Sequence, residues 1–215
     1  RPKKTKPFNM EAELQRQYPE LDFVRPEGEA VYRVKGATGK LLLKKALEHF
    51  ASKGALDIDT LGEKNVVALV DAKLVHDLAD IYRLTKAQVL ELERFADVSA
   101  GKLIDAVQAV KTPQLPRFIY GLGIRHVGVQ TAIDLAETFG SLNALAKATY
   151  EAVQAVDGIG DVVAESVIAW FADDDNQKLL GKFATLGVKP VYQSRAKGPL
   201  HGQSFVVTGT LTTMG

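Results

Sequence analysis

The sequence contains no cysteine among its 215 residues, and only one tryptophan and two methionines. Without cysteine, it can form neither disulfide bonds nor thiolate metal sites. It also lacks an apolar run near the ~20 residues that span a bilayer, and it shows no secretory signal at its start. Its 46% hydrophobic and 25% charged residues are typical of a globular protein with a core. A cytoplasmic protein of one large or two small domains is therefore expected.

An excess of charge of one sign is absent as well, because the net charge is +1. The distribution is uneven, however: residues 1–53 contain 12 Lys and Arg against 7 Asp and Glu, and the remainder 15 against 19. The basic N-terminal quarter favours contact with phosphate groups. A solvated basic surface explains the same excess equally well.

The pattern of apolar residues predicts a mainly α-helical protein. In residues 1–40, a basic start precedes a predicted β-hairpin in which Phe23–Val24 pair with Val31–Val34. Residues 41–190 are predicted to form short helices of roughly 8–14 residues each. Residues 191–199 are predicted to be a linker, and residues 200–215 contain a predicted strand, SFVVTGTL.

The helical part contains an internal repeat. The segment GIGDVVA, with an aliphatic residue before its second glycine and a small residue four positions after it, recurs with variations at intervals of 34, 32 and 32 residues. The recurrence predicts four helix–hairpin–helix units. We name the repeated segments hairpin 1 (residues 60–66), hairpin 2 (94–100), hairpin 3 (126–132) and hairpin 4 (158–164).

Each hairpin is predicted to bind an anion through its backbone. Glycine lets the backbone approach another surface closely, and the helix that follows begins with unpaired N–H groups at the positive end of its dipole. A phosphodiester fits such a site, so the array is expected to bind duplex DNA without regard to sequence, across the minor groove. Leu61, Val127 and Ile159 are expected to anchor the hairpins, while Ala132 and Ala164 allow close helix packing.

The candidate DNA-binding residues are the hairpin glycines, the first residues of the following helices and nearby basic side chains: Gly62, Glu63, Lys64, Lys102, Arg125, His126, Gly128, Val129, Gly158, Gly160 and Asp161. Hairpin 2 has Ala96 in place of the second glycine. Its backbone is expected to adopt angles that expose the amides less openly, which makes it mainly structural. The alternative interpretation of His126 is a solvated turn residue that does not bind DNA. A single Gly-x-Gly segment can likewise be only a tight turn between helices.

Three stretches resemble the helix–hairpin–helix domain of bacterial NAD-dependent DNA ligases: LEHFASKGALDIDTLGEKNVVALV, YGLGIRHVGVQTAIDLAETFGSL and VDGIGDVVAESVIAWF. LHGQSFVVTGTL resembles the first strand of the BRCT domain of that family. The resemblance implies a tandem array of four units between a small β-hairpin module and a truncated BRCT domain. It also implies binding of nicked double-stranded DNA in replication and repair. By this resemblance, Thr208 and Gly209 lie at the place where BRCT domains can bind a phosphate, and they are a possible phosphate site.

The family's nick sealing uses NAD and Mg²⁺, through an adenylated lysine in a Lys-x-Asp-Gly motif. That motif is absent here, so the resemblance implies partner domains upstream (adenylation and oligonucleotide-binding) and a longer BRCT domain downstream, with no sealing by this chain alone. The family's zinc module would place cysteines at Val34 and Gly39, and near Arg16 and Pro19. All four are missing, so residues 1–40 are expected to form a zinc-free version held by an apolar cluster such as Leu21, Phe23, Val31 and Tyr32.

Other functions have less support in the sequence. GATGK at residues 36–40 lacks the spacing and the Ser or Thr of a phosphate-binding loop. Asp173–Asp175 is expected to cap a helix beginning near Asn176 rather than to bind two metals, and Trp170 and Phe171 are expected in the core. A helical scaffold that docks a protein partner remains the alternative function. A nuclease or glycosylase would need a catalytic Lys or Asp beside a hairpin. Lys64 and Asp161 have such positions, but nothing else in the sequence indicates a catalytic pocket.

Overall fold

A computed structural model describes residues 9–19, 22–25, 32–35 and 39–193. Near the N-terminus, helix α1 (Met10–Gln17) precedes two short antiparallel strands, β1 (Asp22–Val24) and β2 (Arg33–Lys35), with Phe23 opposite Val34. The predicted pairing of Phe23–Val24 with Val31–Val34 falls within about two residues of these strands, and residues 26–31 lie outside the described part. Helix α1 was not predicted. Its N-cap Asn9 accepts a hydrogen bond from the amide of Ala12.

The remainder is helical, as the periodicity predicts. The helices are α2 (Lys40–Ala51), α3 (Glu63–Asp71), a 3₁₀ helix (Leu78–Arg83), α4 (Lys86–Leu90), α5 (Asp97–Ala109), α6 (Leu115–Gly121), α7 (Val129–Phe139), α8 (Leu142–Ala146), α9 (Tyr150–Gln154), α10 (Asp161–Ala172) and α11 (Asp174–Thr185). Helices α4, α8 and α9 have five residues, which is shorter than predicted. The N-cap residue that precedes each of these helices is a Thr or Ser whose side chain accepts a hydrogen bond from a first-turn amide.

An aromatic cluster joins helices that are distant in sequence. The ring of Phe183, in α11, stacks on Phe50 of α2 with centroids 5.6 Å apart and meets Phe118 of α6 edge-on at 5.2 Å. Tyr82 of the 3₁₀ helix meets Phe183 from another side at 6.0 Å. Because buried aromatic side chains contribute large apolar areas and prefer such tilted geometries, this cluster fixes α2, α6 and α11 against one another.

The acidic run Asp173–Asp175 caps a helix, as expected, but the helix begins two residues earlier than predicted. The side chain of Asp173 accepts hydrogen bonds from the amides of Asp175 and Asn176, each at 3.0 Å, and α11 starts at Asp174. Of the two aromatic residues expected in the core, Phe171 is buried and Trp170 is half-buried.

The chain stays attached to the helices beyond residue 190, where the sequence placed a domain boundary. The amide of Leu115 donates to the carbonyl of Val191 at 2.7 Å, and the amide of Val191 donates to the carbonyl of Pro113 at 2.9 Å. These two bonds form a parallel bridge at the start of α6, so Val191 belongs with the helical part. In the described residues no helix has both the length and the apolar character to cross a bilayer.

Candidate nucleic-acid interface

The four hairpins share one backbone geometry. The residue before the second helix has φ between −79° and −98° and ψ between 170° and −178°; these residues are Gly62, Ala96, Gly128 and Gly160. The preceding amide donates to the carbonyl three residues earlier at 2.9–3.0 Å, in the pairs Leu61–Ile58, Phe95–Leu92, Val127–Ile124 and Ile159–Val156. The repeat found in the sequence therefore corresponds to a repeated backbone conformation.

The apolar positions of the repeat anchor each hairpin, as predicted for hairpins 1, 3 and 4. The side chain before the N-cap is between 2% and 8% exposed in Leu61, Phe95, Val127 and Ile159. The residue four positions after the N-cap is fully buried in Val66, Ala100, Ala132 and Ala164, and its amide donates to the N-cap carbonyl at 2.9–3.0 Å. The two apolar side chains thus fix each hairpin to the protein core, while the N-cap residue at its tip is exposed to solvent.

Three hairpin helices begin at a glycine that the fold does not require. Gly62, Gly128 and Gly160 have extended backbone angles open to any residue, and no atom lies within 4 Å of the place where a Cβ would be. No side chain caps these helices. In the described part of the chain, side chains do cap six other helices, from Asn9, Asp77, Thr85, Ser141, Thr149 and Asp173.

The amides of the first turn are consequently open at hairpins 1, 3 and 4. Within the described residues, the N–H groups of Glu63, Val129 and Asp161 have no hydrogen-bond acceptor. Unpaired donors at the positive end of a helix dipole attract an anion. The arrangement can therefore bind phosphate oxygens through the backbone alone.

A left-handed residue opens hairpins 3 and 4. Gly158 has φ +77°, a conformation that favours glycine, whereas His126 occupies the equivalent place with φ +65°. Among the described residues, the equivalent Thr60 and Arg94 do not have positive φ. The first glycine of hairpin 4 is therefore needed for its backbone angle, and His126 adopts the same angle at a cost in conformational energy.

The prediction about the backbone of Ala96 is wrong. Its φ of −98° and ψ of 170° match those of the three glycines, because an extended N-cap is accessible to every L-residue. Hairpin 2 differs instead in its hydrogen bonds. The amide of Ala96 donates to Oγ of Ser99 at 2.9 Å, and that hydroxyl donates back to the Ala96 carbonyl at 3.0 Å. Ser99 lies at the N3 position and forms only the N3 half of a capping box, because Ala96 has no side-chain acceptor for the other half.

The predicted basic side chains lie at the hairpins, and their charges are not paired with carboxylates of the described residues. Lys64, Arg125 and Lys102 are exposed, and within the described part of the chain none of them forms an ion pair. Lys86 is instead paired with Asp97, at 2.7 Å from Nζ to Oδ1. His126 is exposed at the hairpin tip.

Acidic and apolar side chains also lie at the hairpin tips. Glu63 and Asp161 are exposed first-turn residues that favour their own helix dipoles but repel phosphate. Asp161 accepts a hydrogen bond from Nε2 of Gln154 at 2.5 Å. Val129 is 50% exposed. The backbone amides of Glu63, Val129 and Asp161, rather than their side chains, are thus the groups suited to an anion.

The remaining candidate sites are outside the described residues or do not fit a ligand. Thr208 and Gly209 lie outside the described part, as do residues 36–38 of GATGK; Gly39 is the N-cap of α2. In the part of the chain that the structure describes, no group of three or more His, Asp or Glu side chains could hold a metal ion, and the zinc-free module stays a prediction. Gly39, at one of the expected ligand positions, has no side chain.

Comparison with known proteins agrees with this geometry. A family model described as a helix-hairpin-helix motif matches residues 117–180, which include hairpins 3 and 4. The chain is 45% identical over 190 residues to a DNA ligase of Syntrophotalea carbinolica, which covers 88% of this chain and 28% of that protein. It is 39% identical over 203 residues to DNA ligases of Bacillus thuringiensis and Bacillus anthracis, covering 91% of this chain and 30% of each relative. The chain thus spans less than a third of the length of these curated relatives.

Proposed function

Because the chain belongs to the family of the DNA ligases that it matches, we propose that it is the part of such a ligase that binds double-stranded DNA through the backbone amides of its hairpins. The observation that carries this proposal is the glycine at three hairpin N-caps. Neither the backbone angles nor the packing of Gly62, Gly128 and Gly160 requires glycine. A ligand that approaches the backbone closely accounts for its presence.

The four hairpins act as an array. Hairpins 1, 3 and 4 each contribute a few contacts to phosphate, and the linked contacts add in affinity because one binding event raises the effective concentration for the next. Phosphate contacts position a protein on the duplex without reading its sequence. Hairpin 2, whose Ala96 amide is already bonded to Ser99, is mainly structural.

The catalytic function belongs to the whole ligase rather than to this chain. We propose that the array holds nicked DNA while an adenylation domain, with NAD and Mg²⁺, seals the break during replication and repair. The sequence contains no Lys-x-Asp-Gly motif, so the adenylated lysine comes from another part of the enzyme. The isolated chain is expected to bind nicked DNA and not to seal it.

The test replaces the three N-cap glycines by serine: Gly62→Ser, Gly128→Ser and Gly160→Ser together. Serine is a good N-cap whose hydroxyl occupies the first-turn amides, so the free energy of unfolding is expected to stay the same or to rise by about 1 kcal/mol. Affinity for a fluorescent nicked duplex is expected to fall by about a thousandfold or more, since each of the three hairpins loses a hydrogen bond to a charged group, which contributes roughly 1.5–3 kcal/mol. Stability and binding therefore change in different directions.

The matched control is Ala96→Ser in hairpin 2. The new hydroxyl can cap the first turn of α5, so the free energy of unfolding should rise by about 1 kcal/mol. DNA affinity should stay the same, because hairpin 2 is mainly structural. A helical scaffold that docks a protein partner through its helix faces is the alternative. Unchanged DNA affinity in a folded triple variant would favour that alternative and end the proposal.

A further inference from the structure

Arg117 connects two hairpins that are far apart in the sequence. It lies in α6, which leads into hairpin 3, and its side chain reaches the loop between α2 and hairpin 1. Its Nε donates to the carbonyl of Ala55 at 2.5 Å and its Nη2 to the carbonyl of Lys53 at 2.7 Å. The carboxylate of Asp57 lies 3.6 Å from the same Nη2.

Arg117 bonds two carbonyls of the loop that the backbone leaves unpaired. The amides of Ala55 and Asp57 donate to the carbonyl of Ser52, each at 3.0 Å, and the amide of Ile58 donates to the carbonyl of Ala51. Among the described residues, the carbonyls of Lys53 and Ala55 receive hydrogen bonds from Arg117 alone. Asp57 also has a left-handed φ of +56°, a conformation that needs support from its surroundings.

This loop sets the position of hairpin 1. The carbonyl of Ile58, near the end of the loop, accepts the hydrogen bond from Leu61 that closes the hairpin turn, at 2.9 Å. Asn65 of α3 donates to the carbonyl of Thr60 at 2.7 Å, so the turn and the next helix move together. A shift of the loop therefore carries Gly62 and the first-turn amides of α3 with it.

A second link fixes the other end of the connection. Nε2 of His49, in α2, lies 2.7 Å from the carbonyl of Tyr120, which also accepts from the amide of Gly123 at the start of the turn into hairpin 3. A Cβ on Gly121 would lie 3.1 Å from Phe50 of α2 and from Leu56 of the loop, so both α2 and the loop are in close contact with α6. The helices are thus held by packing, and the loop by packing of its apolar side chains and by the hydrogen bonds of Arg117 to its backbone.

We propose that Arg117 is a positioning residue that fixes hairpin 1 relative to hairpin 3, so that both bind one DNA duplex. This inference rests on the proposed function. Arginine suits the role because its planar fork donates to two carbonyls at once, which a lysine ammonium at the end of a flexible stem does not reproduce. Without it, hairpin 1 keeps its own structure but samples several positions, and the gain from linked binding is lost.

The first test is a double-mutant cycle in DNA affinity. Arg117→Met is expected to weaken binding of the parent chain to a nicked duplex by about tenfold, as for the loss of one linked contact. In the Gly62→Ser background, where hairpin 1 no longer binds, Arg117→Met should change affinity by less than about twofold. In the Gly160→Ser background it should still cost about tenfold, because hairpin 4 is independent of the loop.

Equal losses in both backgrounds would overturn the inference, since a direct contact of Arg117 with phosphate would be additive with either hairpin. Arg117→Lys keeps the charge and loses the fork, so it should bind DNA almost as weakly as Arg117→Met. Recovery of full affinity by lysine would also contradict a positioning role. Failure of the parent chain to bind DNA would remove this inference together with the proposed function, whereas the first two outcomes remove this inference alone.

The second test measures the position of hairpin 1 directly. Because the sequence lacks cysteine, spin labels can be attached at Lys64→Cys and Gln130→Cys, which lie within hairpins 1 and 3 in the first turns of α3 and α7. Arg117→Met should broaden the distance distribution between the labels while the aromatic contacts of Phe50 and Phe118 keep the helices folded. An unchanged distribution would overturn the inference whatever the affinity.

Discussion

At the scale of single residues, a helix N-cap can serve either the fold or a ligand. Six helices in the described part of the chain begin with Asn, Asp, Ser or Thr, whose side chains satisfy their own first turns. Gly62, Gly128 and Gly160 leave those amides open, which costs a few tenths of a kcal/mol each. The protein thus keeps its donors free at the hairpins and satisfies them elsewhere.

These residue positions differ in how well sequence predicts them. The anchors Leu61, Val127 and Ile159 followed from the repeat, because an apolar residue between two turn positions has to be buried. The error at Ala96 came from tying the N-cap backbone angles to glycine, whereas hairpin 2 differs in the hydrogen bond from the Ala96 amide to the hydroxyl of Ser99. Arg117 carried no local signal, since its partners lie more than sixty residues away in the sequence.

His126→Gly is expected to raise the free energy of unfolding by roughly 0.5–1 kcal/mol. The substitution removes the energetic cost of a left-handed non-glycine residue, and this gain is larger than the loss from the greater conformational entropy of glycine in the unfolded chain. The free energy of unfolding can be measured in urea through the fluorescence of Trp170, the single tryptophan. Arg125→Gly, at the neighbouring position without a positive φ, should destabilise instead. A less stable His126→Gly would show that the imidazole makes a stabilising contact. Weaker DNA binding by the same variant would assign that side chain to the interface.

At the scale of elements, the structure contains a charged cluster that the periodicity did not predict. Asp80 lies in the 3₁₀ helix, and its side chain is 6% exposed. Lys182 of α11 approaches it to 2.7 Å and also contacts Asp77, the N-cap of the 3₁₀ helix. The amide of His76 donates to Asp80 at 3.0 Å, and Arg83 lies 3.3 Å away. The cluster ties α11 to a segment too short and too mixed in polarity for sequence patterns to identify.

Burial raises the pKa of Asp80, but the hydrogen bond from Lys182, the amide of His76 and the charges of Lys182 and Arg83 outweigh it, so the pKa lies below its usual value. A carboxylate with a lowered pKa stabilises the fold above its unfolded-state pKa of about 3.9, and the contribution disappears as the pH falls through the folded-state value. Asp80→Asn should therefore lower the free energy of unfolding by about 2 kcal/mol at pH 7, since Lys182 loses one of its two carboxylate partners and keeps only Asp77.

The measurement compares urea unfolding of Asp80→Asn and the parent chain at pH 7 and near pH 3. The difference between the two proteins should shrink at the lower pH, where Asp80 of the parent begins to be protonated. Asp175→Asn is the matched control: Asp175 pairs with Lys178 at 2.8 Å, but both side chains are exposed, so stability should hardly change. A difference that stays constant with pH would contradict the assignment of the lowered pKa.

At the scale of the whole molecule, the repeat explains how a protein of net charge +1 can bind a polyanion. Open amides at hairpins 1, 3 and 4 supply donors without adding charge, and the free cations near the hairpins are few. The interval of 32–34 residues made the positions of the hairpins predictable. Their mutual arrangement depends on the aromatic cluster around Phe183 and on Arg117, whose partners are distant in sequence, and so could be known only from the structure.

The salt dependence of DNA affinity distinguishes the contribution of charged side chains from that of backbone amides. Each phosphate neutralised by a cation contributes about 0.9 to the slope of log K against log salt concentration, so Lys64, Lys102 and Arg125 together predict a slope of about −3 or shallower. Replacing all three by glutamine should flatten that slope by about two to three, while residual binding through the amides persists. The three glycine-to-serine changes should lower affinity and leave the slope nearly unchanged, because they remove no charge.

Lys178→Gln provides the control for the loss of a cation, since Lys178 is already paired with Asp175 in α11. Both the affinity and the slope should stay close to those of the parent chain. A slope of about −6 or steeper would require more neutralised phosphates than the hairpin cations provide. The basic residues within 1–53 would then have to supply the difference, and the hairpin amides would no longer be the main source of affinity.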